Sequence, residues 1–209
     1  MSRQIQITQS YNTAANRWRT RIEGLGYAAA YRWLITQSGL QSQRKTVLDA
    51  GCGTGEFARA LIEVSGRPAQ LTLLDPARDM IANARLSLRH LATSLHTEIC
   101  GLEDAPQIEH DIVLCAHVIE HFSDPRGALR LLRQQLARDG AMLLVVSKPH
   151  WCNWIIWLRW RHRMIRPAVL LGWLADAGLH CNWHAGFPAG PPHRSSHAYL
   201  LIRTTGDIS

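Results

Sequence analysis

Thr46-Val47-Leu48-Asp49-Ala50-Gly51-Cys52-Gly53-Thr54-Gly55-Glu56-Phe57 reads as a buried strand, a glycine turn and the start of a helix. Val47 and Leu48 are strand formers in a short apolar run. Gly51, Gly53 and Gly55 alternate, which frees the backbone for dihedrals that side chains disfavour and lets it approach a ligand closely. Phe57, Leu61 and Ile62 follow at helical spacing, so a helix begins near Gly55. A helix N-terminus facing a glycine turn presents free N–H groups to a nucleotide-like group. Outward from this stretch, Leu71-Thr72-Leu73-Leu74-Asp75 is a second apolar run closing on a carboxylate. It falls roughly 20 residues past the glycines, where a βαβ unit places the acid that holds a ribose.

The totals fit one globular unit. The 209 residues are 46% hydrophobic and 19% charged, enough for a sizeable core and too apolar for a disordered chain. A single domain over residues 1–209 is the expectation. The five cysteines (Cys52, Cys100, Cys115, Cys152, Cys181) are scattered and form no C-x-x-C pair, which points to free thiols in a reducing compartment. Met1 to Ile7 contain no apolar h-region, and no apolar run is long enough to span a bilayer. A cytoplasmic setting is therefore expected. The net charge of +7 permits an anionic partner, but the arginines are spread out except at Arg159–Arg166.

The remaining chain alternates strand and helix. Residues 1–45 read as a helical cap: Tyr11, Ala14, Ala15 and Trp18 share one helical face, and Tyr27, Tyr31, Leu34 and Ile35 form another after Gly24-Leu25-Gly26. Strands are expected at Thr46–Asp49, Gln70–Asp75, His96–Cys100, Asp111–Cys115 and Ala141–Ser147. Helices are expected at about Glu56–Ser65, Ala77–Leu86, Arg126–Ala137 and Pro167–Ala177, with a turn at Asp139-Gly140. Leu179–His184 and Ala198–Thr204 read as two final strands around a Pro/Gly-rich loop. This alternation predicts an α/β, doubly wound sheet.

The order Asp49-x-Gly51-x-Gly53-x-Gly55 resembles motif I of the class I S-adenosylmethionine (SAM)-dependent methyltransferases, a resemblance covering about residues 45–205. It implies a seven-stranded Rossmann-like sheet of order 3-2-1-4-5-7-6 with helices on both faces, and SAM as cofactor. It implies a cofactor site of Asp49, Gly51, Cys52, Gly53 and Gly55, with Asp75 and Pro76 at the ribose and Cys115 near the methyl. Met80 is read either as a contact to the adenine ring or as a core methionine. Gly101-Leu102-Glu103-Asp104-Ala105-Pro106 resembles the family's adenine-binding turn, with Gly101 where an acid is usual. Leu102 can still offer its N–H, and Glu103 or Asp104 can replace the acid. In methyltransferases of this shape the N-terminal segment often caps the pocket, so Tyr11 and Trp18 either line it or pack in the core.

The most chemically loaded cluster is His117-x-x-Glu120-His121. On a helix His117 and His121 would share a face, and two imidazoles with a carboxylate suit a transition metal. The segment Cys115–Pro125 resembles the ubiquinone-pathway O-methyltransferases, whose motif is Glu-x-x-Glu-His; here His117 replaces the first Glu. Small-RNA 2′-O-methyltransferases use the same motif with a later histidine to hold a divalent metal, and His162 or His150 is the counterpart. A metal on His117, Glu120, His121 and His162 is thus one reading. The other is metal-free, with His117 or His121 as general base and Glu120 anchoring the loop.

Trp151, Trp154, Trp157 and Trp160 recur every three residues, followed by Arg159, Arg161, Arg163 and Arg166. Strict spacing of three drifts around an α-helix, so the 150–166 insertion is not one apolar stripe. It reads as a lid over a substrate pocket built with His150, Trp151 and Trp154, as an interfacial helix reaching a membrane surface, or as core or dimer packing. The expected function is transfer of a methyl group to a small-molecule acceptor, most often oxygen. RNA or phospholipid methylation, a non-catalytic SAM-binding protein and another SAM reaction are the alternatives. The sequence leaves the oligomeric state open.

Overall fold

The computed structural model describes residues 24–149 and 164–204. Seven strands form one sheet in the order β3-β2-β1-β4-β5-β7-β6. They are β1 (Thr46–Ala50), β2 (Gln70–Leu74), β3 (Ser94–Glu98), β4 (His110–Ala116), β5 (Leu136–Ser147), β6 (Leu179–Gly186) and β7 (Ser196–Arg203). The helices are α1 (Tyr27–Ser38), α2 (Glu56–Ser65), α3 (Arg78–Leu88), α4 (Pro125–Gln134), α5 (Pro167–Asp176) and the short α6 (Gly190–Ser195). The first five strands pair in parallel, and β7 inserts antiparallel between β5 and β6.

The strand sequences explain the two layers. Successive side chains point to opposite faces, so a strand buried on both reads as an unbroken apolar run. Val47, Leu71, Leu73, Ile112, Leu114, Leu143 and Val145 face one core, shared with Tyr31, Phe57, Leu61, Ile81 and Leu88 from α1, α2 and α3. Leu48, Ala50, Leu74, Val113, Met142, Leu144 and Val146 face the other, shared with Leu129, Leu132, Leu170 and Leu174 from α4 and α5.

Three of the differences from the sequence expectation have a physical reason. β5 starts at Leu136, pairs with His110, then shifts register before Ala141 pairs with Ile112. The Asp139-Gly140 signal is therefore a bulge inside a strand rather than a turn before one. A side chain on Gly140 would sit 2.9 Å from the Asp111 carbonyl, so glycine allows the bulge to press on β4. β3 lies two residues earlier than its apolar content suggests and has no buried residue, as an edge strand. Residues 190–195, inside the Pro/Gly-rich loop, form α6 with Pro in its first turn.

Candidate functional site

The glycine turn joins β1 to α2 at the carboxyl ends of the strands. Gly51, Gly53 and Gly55 have φ of +70°, +52° and +85°. The Gly51 and Cys52 N–H groups both donate to the Leu74 carbonyl, at 2.7 and 3.0 Å, which ties the turn to the end of β2. A Cβ on Gly51 would lie 2.3 Å from Val118 Cγ2, and one on Gly55 would lie 2.6 Å from Leu88 Cδ1. Gly51 and Gly53 remain partly exposed to the crevice.

Asp75 follows β2 and is partly exposed. Its two oxygens accept N–H groups from Gly53 at 3.0 Å and Ala77 at 2.8 Å. Burial pushes its carboxyl up to about 6 against the pull of those two amides. Asp49 is 2% exposed and accepts the Ala58 N–H at 3.2 Å, so it braces the first turn of α2. Burial raises its carboxyl to about 7. The Cys52 thiol is buried and pushed well above its ordinary value.

A second group of polar side chains lies where β4, β5, β7 and α1 converge. His117 extends the β4–β5 ladder through its N–H to the Val145 carbonyl, then turns into left-handed backbone at φ +58°. Its Nδ1 lies 3.0 Å from Ser147 Oγ and 3.4 Å from Glu120 Oε1. Its Nε2 lies 3.4 Å from Ser196 Oγ. The Tyr27 hydroxyl is 3.0 Å from both Ser195 Oγ and Ser196 Oγ, and its ring meets the imidazole edge-on at 5.3 Å. Glu120 is 1% exposed, and its Oε1 accepts the Ser147 N–H at 2.6 Å. Burial alone would raise its carboxyl, but the hydrogen bond to His117, the charge on His117 and the Ser147 amide outweigh it and hold it at about 2.

The methyltransferase domain family matches residues 18–189. The chain belongs to this family, as a class I SAM-dependent methyltransferase. A ubiquinone biosynthesis O-methyltransferase of Pseudomonas paraeruginosa is 27% identical over 176 residues, 76% of this chain and 74% of that protein. A tRNA U34 carboxymethyltransferase of Campylobacter lari is 32% identical over 102 residues, but these span 48% of this chain and 34% of the relative. Among solved structures, a magnesium protoporphyrin IX methyltransferase from Synechocystis with bound S-adenosylhomocysteine (SAH) superposes with a TM-score of 0.77. The two are 15% identical, and the match covers 97% of this chain and 100% of that one. The methyltransferase fold, its strand order and SAM as cofactor thus agree with the reading of motif I.

The methyltransferase differs from several site expectations. Met80 and Cys115 have no accessible surface, so without a rearrangement neither offers anything to a ligand; Met80 is a core residue, and the exposed rim of β4 begins at Ala116. His117 and His121 do not share a helical face, because Ile119–His121 is a single 3-10 turn entered from left-handed backbone. Among the described residues no group of three or more His, Cys, Asp or Glu side chains is arranged to hold a metal ion. The metal reading on His117, Glu120 and His121 also draws on His162, outside those residues. Leu102 is buried in the 3-10 turn Leu102–Asp104, while Glu103 and Pro76 are exposed. Tyr11, Trp18, His150, Trp151, Trp154 and His162 lie outside the described residues. No helix among the described residues is long and apolar enough to cross a membrane.

Sequence reasoning missed Tyr27, Ser147, Ser195 and Ser196. Tyr27 stood out only as one of an apolar helical set, and the adjacent Ser195-Ser196 pair lay in a stretch marked by Pro and Gly. Ser147 closes a strand whose apolar run drew attention away from its last residue.

Proposed function

We propose that the protein methylates a hydroxyl group of a small molecule, with His117 as the base. The carrying observation is the imidazole of His117 at the crevice rim, backed by the buried carboxylate of Glu120. A hydroxyl acceptor must lose its proton as it attacks, whereas a neutral amine needs less help. The ubiquinone-pathway relative, which matches over most of both chains, supports the same acceptor class.

SAM supplies an electrophilic methyl group, released from sulfur with the bonding pair left on sulfur as the acceptor oxygen takes the methyl. The chain's residues fit it in kind. Gly51, Gly53 and Gly55 hold the turn in left-handed backbone, and the N-terminal end of α2 that follows it suits the carboxylate end. The Asp75 carboxylate, oriented by two amides, keeps lone pairs for the ribose hydroxyls. Leu102 and Glu103 would meet the adenine edge, and Asp49 holds the turn in place through α2. Holding the reactants in line can itself contribute about 7–11 kcal/mol. The proton leaving the acceptor then rests on His117, whose charge Glu120 offsets.

A tRNA acceptor is the second reading, favoured by the carboxymethyltransferase relative and the net charge of +7. The test uses SAM labelled on its methyl group with the protein and a cell extract. Label in a solvent-extractable compound that carries a new O-methyl group supports the proposal. Label in RNA replaces it with the second reading, and label on nitrogen removes the need for His117 as base.

A further inference from the structure

We infer that Ser196 and Tyr27, together with Glu120, fix the tautomer of His117, so that Nδ1 carries the ring proton and Nε2 is the basic nitrogen. The inference rests on the reading of His117 as the base and names the residues that make it one.

The hydrogen-bond directions lead to this arrangement. Nδ1 faces two oxygens, Ser147 Oγ at 3.0 Å and Glu120 Oε1 at 3.4 Å. Glu120 Oε1 already accepts the Ser147 N–H at 2.6 Å, and as a carboxylate it can only accept. A proton on Nδ1 serves that charge, whereas a lone pair there would oppose it. On the other side, the Ser195 hydroxyl donates to the Pro191 carbonyl at 2.9 Å. Its proton is thus committed there and is not given to the Tyr27 oxygen 3.0 Å away. Burial raises the Tyr27 phenol above its ordinary value, so it keeps its proton. Ser196 has no accessible surface and lies 3.0 Å from Tyr27 and 3.4 Å from Nε2. The single Tyr27 proton goes to Ser196 Oγ, so that the Ser196 proton is left for Nε2 and marks it as an acceptor.

The four segments meet only in the fold. Tyr27 opens α1, Glu120 lies in the turn after β4, Ser147 ends β5 and Ser196 begins β7. Tyr27 and Ser196 are separated by 169 residues. Ser196 and Tyr27 are positioning residues: they act on the acceptor through the imidazole. An acceptor hydroxyl delivered to Nε2 transfers its proton there, Nδ1 keeps its own, and the resulting cation faces Glu120.

The test is independent of turnover. Ring ¹⁵N shifts of the histidines are recorded on the full chain, free and with SAH, at pH values where the ring is neutral; His117→Asn assigns the signal. The expected spectrum has a pyrrole-type Nδ1 and a pyridine-type Nε2 for His117. In Ser196→Ala the tautomer ratio moves toward Nε2–H by about fivefold, the worth of one net hydrogen bond, with a smaller move in the same direction for Tyr27→Phe. SAH binding by calorimetry shows that each variant is folded. A wild-type ring with its proton on Nε2, a ring that stays doubly protonated throughout, or folded variants with the wild-type ratio overturns the inference. Each of those results leaves the methyl-transfer assay to judge the proposed function separately.

Discussion

Asp49 and Glu120 are both buried acids, and their surroundings drive them in opposite directions. Asp49 has a raised carboxyl, about 7 in the folded chain. Above the unfolded value of about 3.9, ionisation favours the unfolded state, so this cost grows with pH until it levels off above 7. Asp49→Asn keeps an acceptor for the Ala58 N–H and removes the cost. It is expected to be the more stable protein at pH 8 by up to roughly 3–4 kcal/mol, with the difference fading as pH falls below 7 and absent below about 4. Urea unfolding at several pH values measures this. Glu120 is depressed to about 2, so its contribution is present above the unfolded value of about 4.3 and is lost as pH falls through 2. Glu120→Gln should therefore flatten the acid side of the same stability curve. Asp75 bears on binding. Its carboxyl is raised to about 6, so below that pH it is protonated and accepts hydrogen bonds less well. SAM affinity by calorimetry is expected to fall as pH drops through 6, by at most about tenfold per unit for one proton taken up.

The elements were legible where local pattern and burial agree. The run Val47–Ala50 and the alternating glycines define β1, the turn and the start of α2, and their conformation follows from the same residues. Gly51→Ala puts a Cβ into left-handed backbone and against Val118, costing about 1–3 kcal/mol for strain and a similar about 1–3 kcal/mol for overpacking. The expected result is a lower melting temperature and weakened SAM binding. Gly172, exposed in α5 with open space around it, is the opposite case. Gly172→Ala is expected to stabilise the protein by about 0.5–1 kcal/mol. The misread elements share a cause. His117-x-x-Glu120-His121 has helical spacing, but the His117 backbone leaves the right-handed region because its N–H completes the β4–β5 ladder. Asp139-Gly140 has turn chemistry, but the register shift against β4 absorbs it. In both, a pairing with a strand distant in sequence overrides the local signal.

Over the whole molecule, the parallel strands β1, β2 and β4 bring their carboxyl ends to one rim, and both halves of the proposed site sit there. The proposed cofactor half stood out because one loop and one following acid make it up. The acceptor half was only partly readable: His117 and Glu120 stood out by their chemistry, whereas Tyr27, Ser147 and Ser196 become neighbours through the sheet order alone. The sequence pattern of the proposed base is local, but its hydrogen-bond partners are scattered along the chain. In the proposed mechanism the two halves act together: the crevice holds SAM, and His117 takes the acceptor's proton. The most direct measurement compares transfer of labelled methyl by wild type and His117→Asn to the same extract fraction, with SAH affinity measured alongside. Asparagine is chosen because it tolerates the left-handed backbone. With His117 as the base, SAH affinity is retained while transfer falls by about 10²–10⁴-fold. Transfer at the wild-type rate by a folded, SAH-binding His117→Asn would contradict it.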